Sequence, residues 1–458
     1  MPQPNRYITD KDHRRTGNLP FFMKAISIGL TTLGVIMTSA CNSTSSLNIV
    51  TATAEEPNLA LGNSKHINQS SQLKVSAIAK RVSNNNPQLR AARLRIQEAQ
   101  GQVVQSGRLS NPEIELDLRK NVRSSEGGLE VTFAQRFPIT NRLRVEKKIS
   151  NQQLSIAKEE IKVAQKALTA QAQELAIEIL HNRQRATYLK KQSALLDEFA
   201  DFIDSAAARG ELSSLDANQA KVESATLKSH LARIQTRDAI LLNKLKAYIG
   251  LHPDKPLVLS GRLPNATIPT TNLTLNNRPE YRAKLLEIEQ AKQNIALQKA
   301  KRFEDVEGRL FTSVDREEDA PEGIETEGTI GAGVSIPLQF YNKNEGNIQS
   351  ARAQAARVTS EKVALALEIQ QQVATERAEM QSWIAQSKKL TQSLIPLADT
   401  NAQQLENAYR NGQTPFTSVL KARSQQLELQ SQNLDNLEAF HKARVRYLAA
   451  IGREQSAL

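Results

Sequence analysis

The chain has 458 residues, a formal charge of +12, a mean hydropathy of −0.47 and one cysteine, Cys41. A lone cysteine excludes an internal disulfide and a thiolate metal cluster. The basic residues are interspersed with acidic ones, the pattern of solvated helix faces and not of a nucleic-acid patch, and an aromatic content of 4% leaves little material for several compact cores.

The first element is Met23 to Ala40, a lysine, an uncharged apolar run and small residues ending at Cys41. This is the layout of a secretory signal peptide, too short to span a bilayer comfortably. Residues 1–40 are therefore read as a leader, with Met23 the more ordinary start. Ser39 and Ala40 ahead of Cys41 resemble a bacterial lipoprotein processing site, although Thr38 stands where that pattern usually has leucine. That resemblance makes Cys41 the lipidation site and residues 41–71 a lipidated linker, with Asn42 in a position associated with outer-membrane transfer. An ordinary secretory signal with an incidental cysteine remains the alternative.

Next come helices. Residues 72–109 fit a shorter one, and Thr140 to Arg209 contains neither glycine nor proline and is dominated by strong helix formers. At 1.5 Å per residue such a segment extends about 100 Å, longer than an ordinary globular domain requires. Steps of seven give Leu154, Ile161, Leu168, Leu175, Asn182, Leu189, Leu196 and Ile203, a coiled-coil seam with one polar member. Ser213 to Ile249, Pro279 to Arg302 and Phe416 to Ile451 read the same way, and Asn347 to Asn411 is interrupted by Pro396, where a kink is expected.

Between the helices the period changes to two. Ile114, Leu116 and Leu118 alternate with Glu113, Glu115 and Asp117; Leu129, Val131, Phe133 and Phe137 alternate with Glu130, Thr132 and Arg136. Leu310, Thr312 and Val314 face away from Arg309 and Ser313, with Phe311 out of pattern, and Ile330, Ala332, Val334 and Ile336 alternate with small residues. These are two hairpins, 112–137 and 305–340. An apolar face opposite a polar one suits a membrane barrel and equally a half-buried soluble sheet. Four strands cannot close around a duct, and open edges in lipid cost several kcal/mol per unpaired group. Two copies would supply eight strands around a filled interior, and three would supply twelve around a lumen; three is the expectation.

The organisation is duplicated. Pro87 returns at Pro279, Pro138 at Pro337, Gly210 at Gly412 and Gly250 at Gly452, a period of roughly 200 residues that is longer than a solenoid repeat. The expected units are a first repeat over 72–250, a proline-rich linker over 251–275, a second repeat over 276–452 and a tail over 453–458.

Taken in order, "NNNPQLRAARLRIQEAQGQVVQSGRLSNPEIEL", "GGLEVTFAQRFPI", "RGELSSLDANQAK", "NRPEYRA" and "YRNGQTPFTSVLKAR" resemble the TolC-like outer membrane efflux protein family, with "SNPEIEL" and "GGLEVTFAQRFPI" closest to its heavy-metal cation efflux branch. The resemblance covers about Gln72 to Gly452. It implies a mainly α protein with a small β part: long antiparallel coiled-coil helices and two β-hairpins per protomer, assembled as a homotrimer with a twelve-stranded membrane barrel and a twelve-helix periplasmic tunnel. It further implies a passive duct for heavy-metal cations or drugs, joined to a periplasmic adaptor and an inner-membrane pump, set in outer membrane lipid and binding no nucleic acid. A non-spanning periplasmic coiled-coil lipoprotein and the duct of a type I protein secretion system remain the alternatives.

By the same resemblance, Arg209, Gly210, Ser213, Gly412 and Thr414 lie at tips that dock the adaptor. Asp216 and Tyr409 bond to hold the periplasmic entrance shut, with a helix cap and a packed ring as the plainer reading of that pair. Ser418 and Lys421 stand where some members carry acidic rings, which puts a cation-selecting ring there in doubt. Glu113, Glu115, Asp117 and Glu130 would line the outer lumen and favour cations, or simply keep a wetted wall soluble. No metal or cofactor is expected: the histidines, among them His66, His181, His230, His252 and His441, show no ligand spacing, and Met380 is the only methionine beyond the leader. No phosphate loop or catalytic triad pattern appears, so no enzyme is expected.

Overall fold

The computed structural model describes residues 72–453, save 264, 271–272 and 320–322. The leader, Cys41, the linker 41–71 and residues 454–458 lie outside the described residues. The elements in chain order are β1 (Gln72–Lys74), α1 (Val75–Asn85), α2 (Pro87–Gln105), β2 (Glu113–Lys120), β3 (Gly127–Phe137), α3 (Arg142–Ala208) and α4 (Ser214–Tyr248). After β4 (Val258–Ser260) come α5 (Pro279–Ala300), β5 (Val306–Asp319), β6 (Gly323–Ser335), α6 (Glu345–Lys389), α7 (Ile395–Arg410) and α8 (Phe416–Ala450).

Two expectations change. The single helix expected over 72–109 is two, because Pro87 drives Asn86 into extended backbone (φ −64°, ψ 124°) and starts a new helix at its own fixed φ. The expected linker over 251–275 is partly built into the fold: β4 pairs in parallel with β1, and Ala266, Ile268 and Leu273 pack on a core of Met380, Phe440 and Tyr447. At Pro396 the break falls just upstream, as a wider turn over Leu390–Leu394. Proline cannot donate to the carbonyl four residues back, and the freed turn expands.

The long helices are held side by side by small residues. Ala172, Ala176 and Ala200 of α3 and Ala217 and Ala220 of α4 are buried, which brings the backbones close. The heptad seam is half-buried at Leu154, Ile161, Leu168 and Leu175 and fully buried from Asn182 to Ile203. Near its start each repeat closes on itself. Asn86 accepts the Leu89 amide at 3.0 Å and donates to the Tyr248 carbonyl at 2.8 Å, capping α2 and satisfying the end of α4 together. In the second repeat Arg278 takes that place, donating to the carbonyls of Ala449 and Ala450 at 3.1 and 2.7 Å. The residue before the repeated proline thus ties each repeat's first long helix to its last.

The four strands form one antiparallel sheet in the order β2-β3-β5-β6, so the two hairpins join along β3 and β5 and leave β2 and β6 as edges. Their lengths run from 8 residues in β2 to 14 in β5. Register places Ile114, Phe133, Leu310 and Ala332 in one row and Leu116, Val131, Thr312 and Ile330 in the next. One face is therefore apolar across all four strands.

Candidate functional site

Two regions carry the residues singled out above, the sheet and the helix turns at Gly210 and Gly412. In the sheet the apolar face is open: Leu116 is 68% exposed, Leu118 82% and Ile330 88%. The opposite face is the more enclosed one, with Thr132 and Ser313 buried. A soluble sheet covers its apolar side first, and here the strands make their extensive contacts with one another. Phe311, out of pattern in the sequence, lies on the polar face beside Gly331. Its ring occupies the space a Cβ on Gly331 would need, 2.2 Å away, so the missing side chain of one strand makes room for the aromatic ring of its neighbour.

Glu113, Glu115, Asp117 and Glu130 all fall on that polar face, since Asp117 is opposite Glu130 and Glu115 opposite Thr132. Their charge is partly offset. Arg119 lies 3.1 Å from Glu130, and Arg136 is 3.9 Å from Glu113 and 3.0 Å from Glu307.

At the other end α3 turns into α4 and α7 into α8. Gly210 (φ +75°) and Gly412 (φ +70°) terminate α3 and α7 in the left-handed region, where a Cβ would be strained. Arg209 forks onto Glu211 at 3.0 and 2.9 Å, and Ser213 caps α4 by accepting the Leu215 amide at 3.2 Å. Thr414 lies half-buried in the second turn and Lys421 is exposed one turn into α8, while the Ser418 amide donates to the Pro415 carbonyl at 3.1 Å.

The two turns meet through Tyr409, which donates to Asp216 Oδ2 at 2.8 Å. Burial, reinforced by the Asp216 carboxylate, pushes the Tyr409 hydroxyl well above the ordinary tyrosine pKa. Around this bond lies an aromatic cluster that periodicity did not single out. Phe199, Tyr409 and Phe416 stand 5.4 to 5.7 Å apart, and the Arg410 guanidinium covers Phe199 at 5.3 Å and Phe202 at 4.5 Å. The available signal was Phe199 and Phe202, three residues apart in a chain otherwise poor in aromatics.

A third cluster was not legible at all. His181 of α3 meets Asp435 and Glu438 of α8, from helices 254 residues apart in sequence, a separation that no motif spacing reveals.

Comparison with known proteins agrees with this architecture. Residues 270–453 match the family described as Outer membrane efflux protein. The chain is 21% identical over 395 residues to the cobalt-zinc-cadmium resistance protein CzcC of Cupriavidus metallidurans, covering 84% of this chain and 88% of that one. Among solved structures, CusC superposes with a TM-score of 0.70 at 17% identity over 83% of this chain and 92% of that one. The outer membrane protein VceC of Vibrio cholerae gives 0.66 at 19% identity over 83% and 96%. The second repeat thus matches the outer membrane efflux protein family directly, and the first repeat duplicates its order of helices and hairpin.

Proposed function

We propose that this protein is the outer membrane channel component of a tripartite efflux system, a passive homotrimeric duct that makes and breaks no bond. The observation that carries this reading is the four-stranded sheet whose apolar face is exposed and whose edges β2 and β6 are unpaired. Lipid on that face and a second copy on each edge remove both costs at once. Three copies supply twelve strands, enough for a water-filled lumen lined by the face that carries Glu115 and Thr132. Cys41, if acylated, adds a second hold on the same membrane.

In this reading the turns at Gly210 and Gly412, with Arg209, Ser213 and Thr414, face a periplasmic adaptor that connects the duct to an inner-membrane pump. The Tyr409 to Asp216 bond then holds the entrance closed, with Ser418 and Lys421 just beyond it. The cargo class is heavy-metal cations, for which the likeness to CzcC is the support; drugs are the alternative.

The test is planar-bilayer recording on the full-length protein purified in detergent, with its mass measured in the same detergent. A trimer that conducts ions, more so after Asp216→Ala, supports the duct. A monomer without conductance in either form replaces it with a non-spanning coiled-coil lipoprotein.

A further inference from the structure

Helices α3 and α8 come from different repeats, and midway along α3 they enclose a set of side chains that neither the sheet nor the tips use. Asp435 and Glu438 are three residues apart on α8, hence on one face of it. Opposite them His181 Nε2 is 2.9 Å from Asp435 Oδ1, and Nδ1 is 3.0 Å from Glu438 Oε2. The first contact is a hydrogen bond. The second is not: among the described residues Nδ1 has no hydrogen-bond partner despite that distance, so the carboxylate oxygen lies off the N–H axis. His181 is only 4% exposed, where a polar atom left unpaired is costly.

One imidazole nitrogen and two carboxylate oxygens lie within 4.8 Å of one another. That is a donor set of the mixed nitrogen and oxygen kind that suits borderline divalent cations. The Asp435 side chain is 52% exposed, which leaves an entry path and room for a water ligand. Two cations share the carboxylates: Lys442 is 2.5 Å from Glu438 Oε1 and Arg185 is 3.9 Å from Asp435 Oδ1. They lower the attraction for a purely oxygen-seeking ion such as calcium, and leave the imidazole to select.

We propose that His181, Asp435 and Glu438 form a binding site for a divalent transition cation of the zinc class, which when filled ties α3 to α8. The site does not depend on conductance, so its failure and that of the duct reading are separate results.

The experiment uses the full-length protein, free of any histidine tag, in detergent. Zinc is titrated by calorimetry, and cobalt(II) serves as a spectroscopic substitute. Saturable binding, weakened at least about tenfold by His181→Ala, Asp435→Asn or Glu438→Gln, is expected, with cobalt bands that indicate nitrogen ligation. Excess calcium should not displace the metal, and Lys442→Ala should tighten binding. Unchanged zinc affinity in a folded His181→Ala protein, checked by circular dichroism, overturns the proposal. So does binding that is lost instead in His230→Ala or His252→Ala. If His181→Ala does not fold, the cobalt spectrum of the unaltered protein decides: absence of nitrogen-ligated bands overturns the site.

Discussion

Tyr409 and Asp216, 193 residues apart, share a hydrogen bond of 2.8 Å that joins the turn of one repeat to the turn of the other. Tyr409 is buried among Phe199 and Phe416 and Asp216 is half-buried in the first turn of α4. The bond is thus shielded on one side and reachable from the other, a suitable arrangement for a link that has to hold and also release.

Removing the hydroxyl should loosen this end. Tyr409→Phe keeps the ring in its cluster and deletes only the bond, at a cost of about 1 kcal/mol, or up to about 3 kcal/mol because the partner is charged. In planar bilayers the variant should show higher conductance or longer openings than the unaltered protein. Equal records would assign the pair to capping and packing alone.

The same bond predicts an alkaline limit. The neutral hydroxyl is favoured in the folded state, so its contribution is fully present below the ordinary tyrosine pKa near 10 and is lost as pH rises from there through the raised folded value. Tyrosinate absorbance should contain a late-titrating phase that disappears in Tyr409→Phe. Conductance of the unaltered protein should be insensitive to this group across the neutral range.

Phe311 and Gly331 form a pair that can be exchanged. Gly331→Ala places a Cβ inside the Phe311 ring and should cost about 1–3 kcal/mol. Phe311→Ala in the same chain should recover part of that loss, because the two substitutions act on one space. Heat denaturation of the assembled protein in detergent checks both.

The two faces of the sheet should respond differently. Leu116→Arg puts a charge on the exposed apolar face and should cost about 2–4 kcal/mol if lipid lies there at mid-depth, seen as loss of membrane-inserted protein on fractionation. Glu115→Gln on the opposite face should leave insertion intact and lower the preference for cations over anions, read as a shift in reversal potential under a salt gradient. Equal tolerance of both would argue against a lipid-facing side.

Much of this architecture was legible in the chain because its signals are local and repeated. Heptad spacing from Leu154 to Ile203, alternation from Glu113 to Leu118 and the return of Pro87 at Pro279 each report geometry within a few residues or one period. Register, the joining of β3 to β5, the aromatic cluster under Arg410 and the meeting of His181 with Asp435 depend on contacts between segments far apart. Periodicity says which face is apolar but not what lies against it. The strand β4, hidden in a proline-rich stretch, formed only because β1 offered it a partner.

The sequence by itself determined that long helices alternate with two amphipathic hairpins in a duplicated order, since backbone period and proline and glycine placement are local properties. Only the tertiary structure decided that the apolar side of the sheet is left uncovered while its polar side is partly enclosed, and that Phe199, Phe416 and Arg410 gather around the Tyr409 to Asp216 bond. The physical reason is that burial and hydrogen-bond partnership are relations between segments, set when the helices and strands come together.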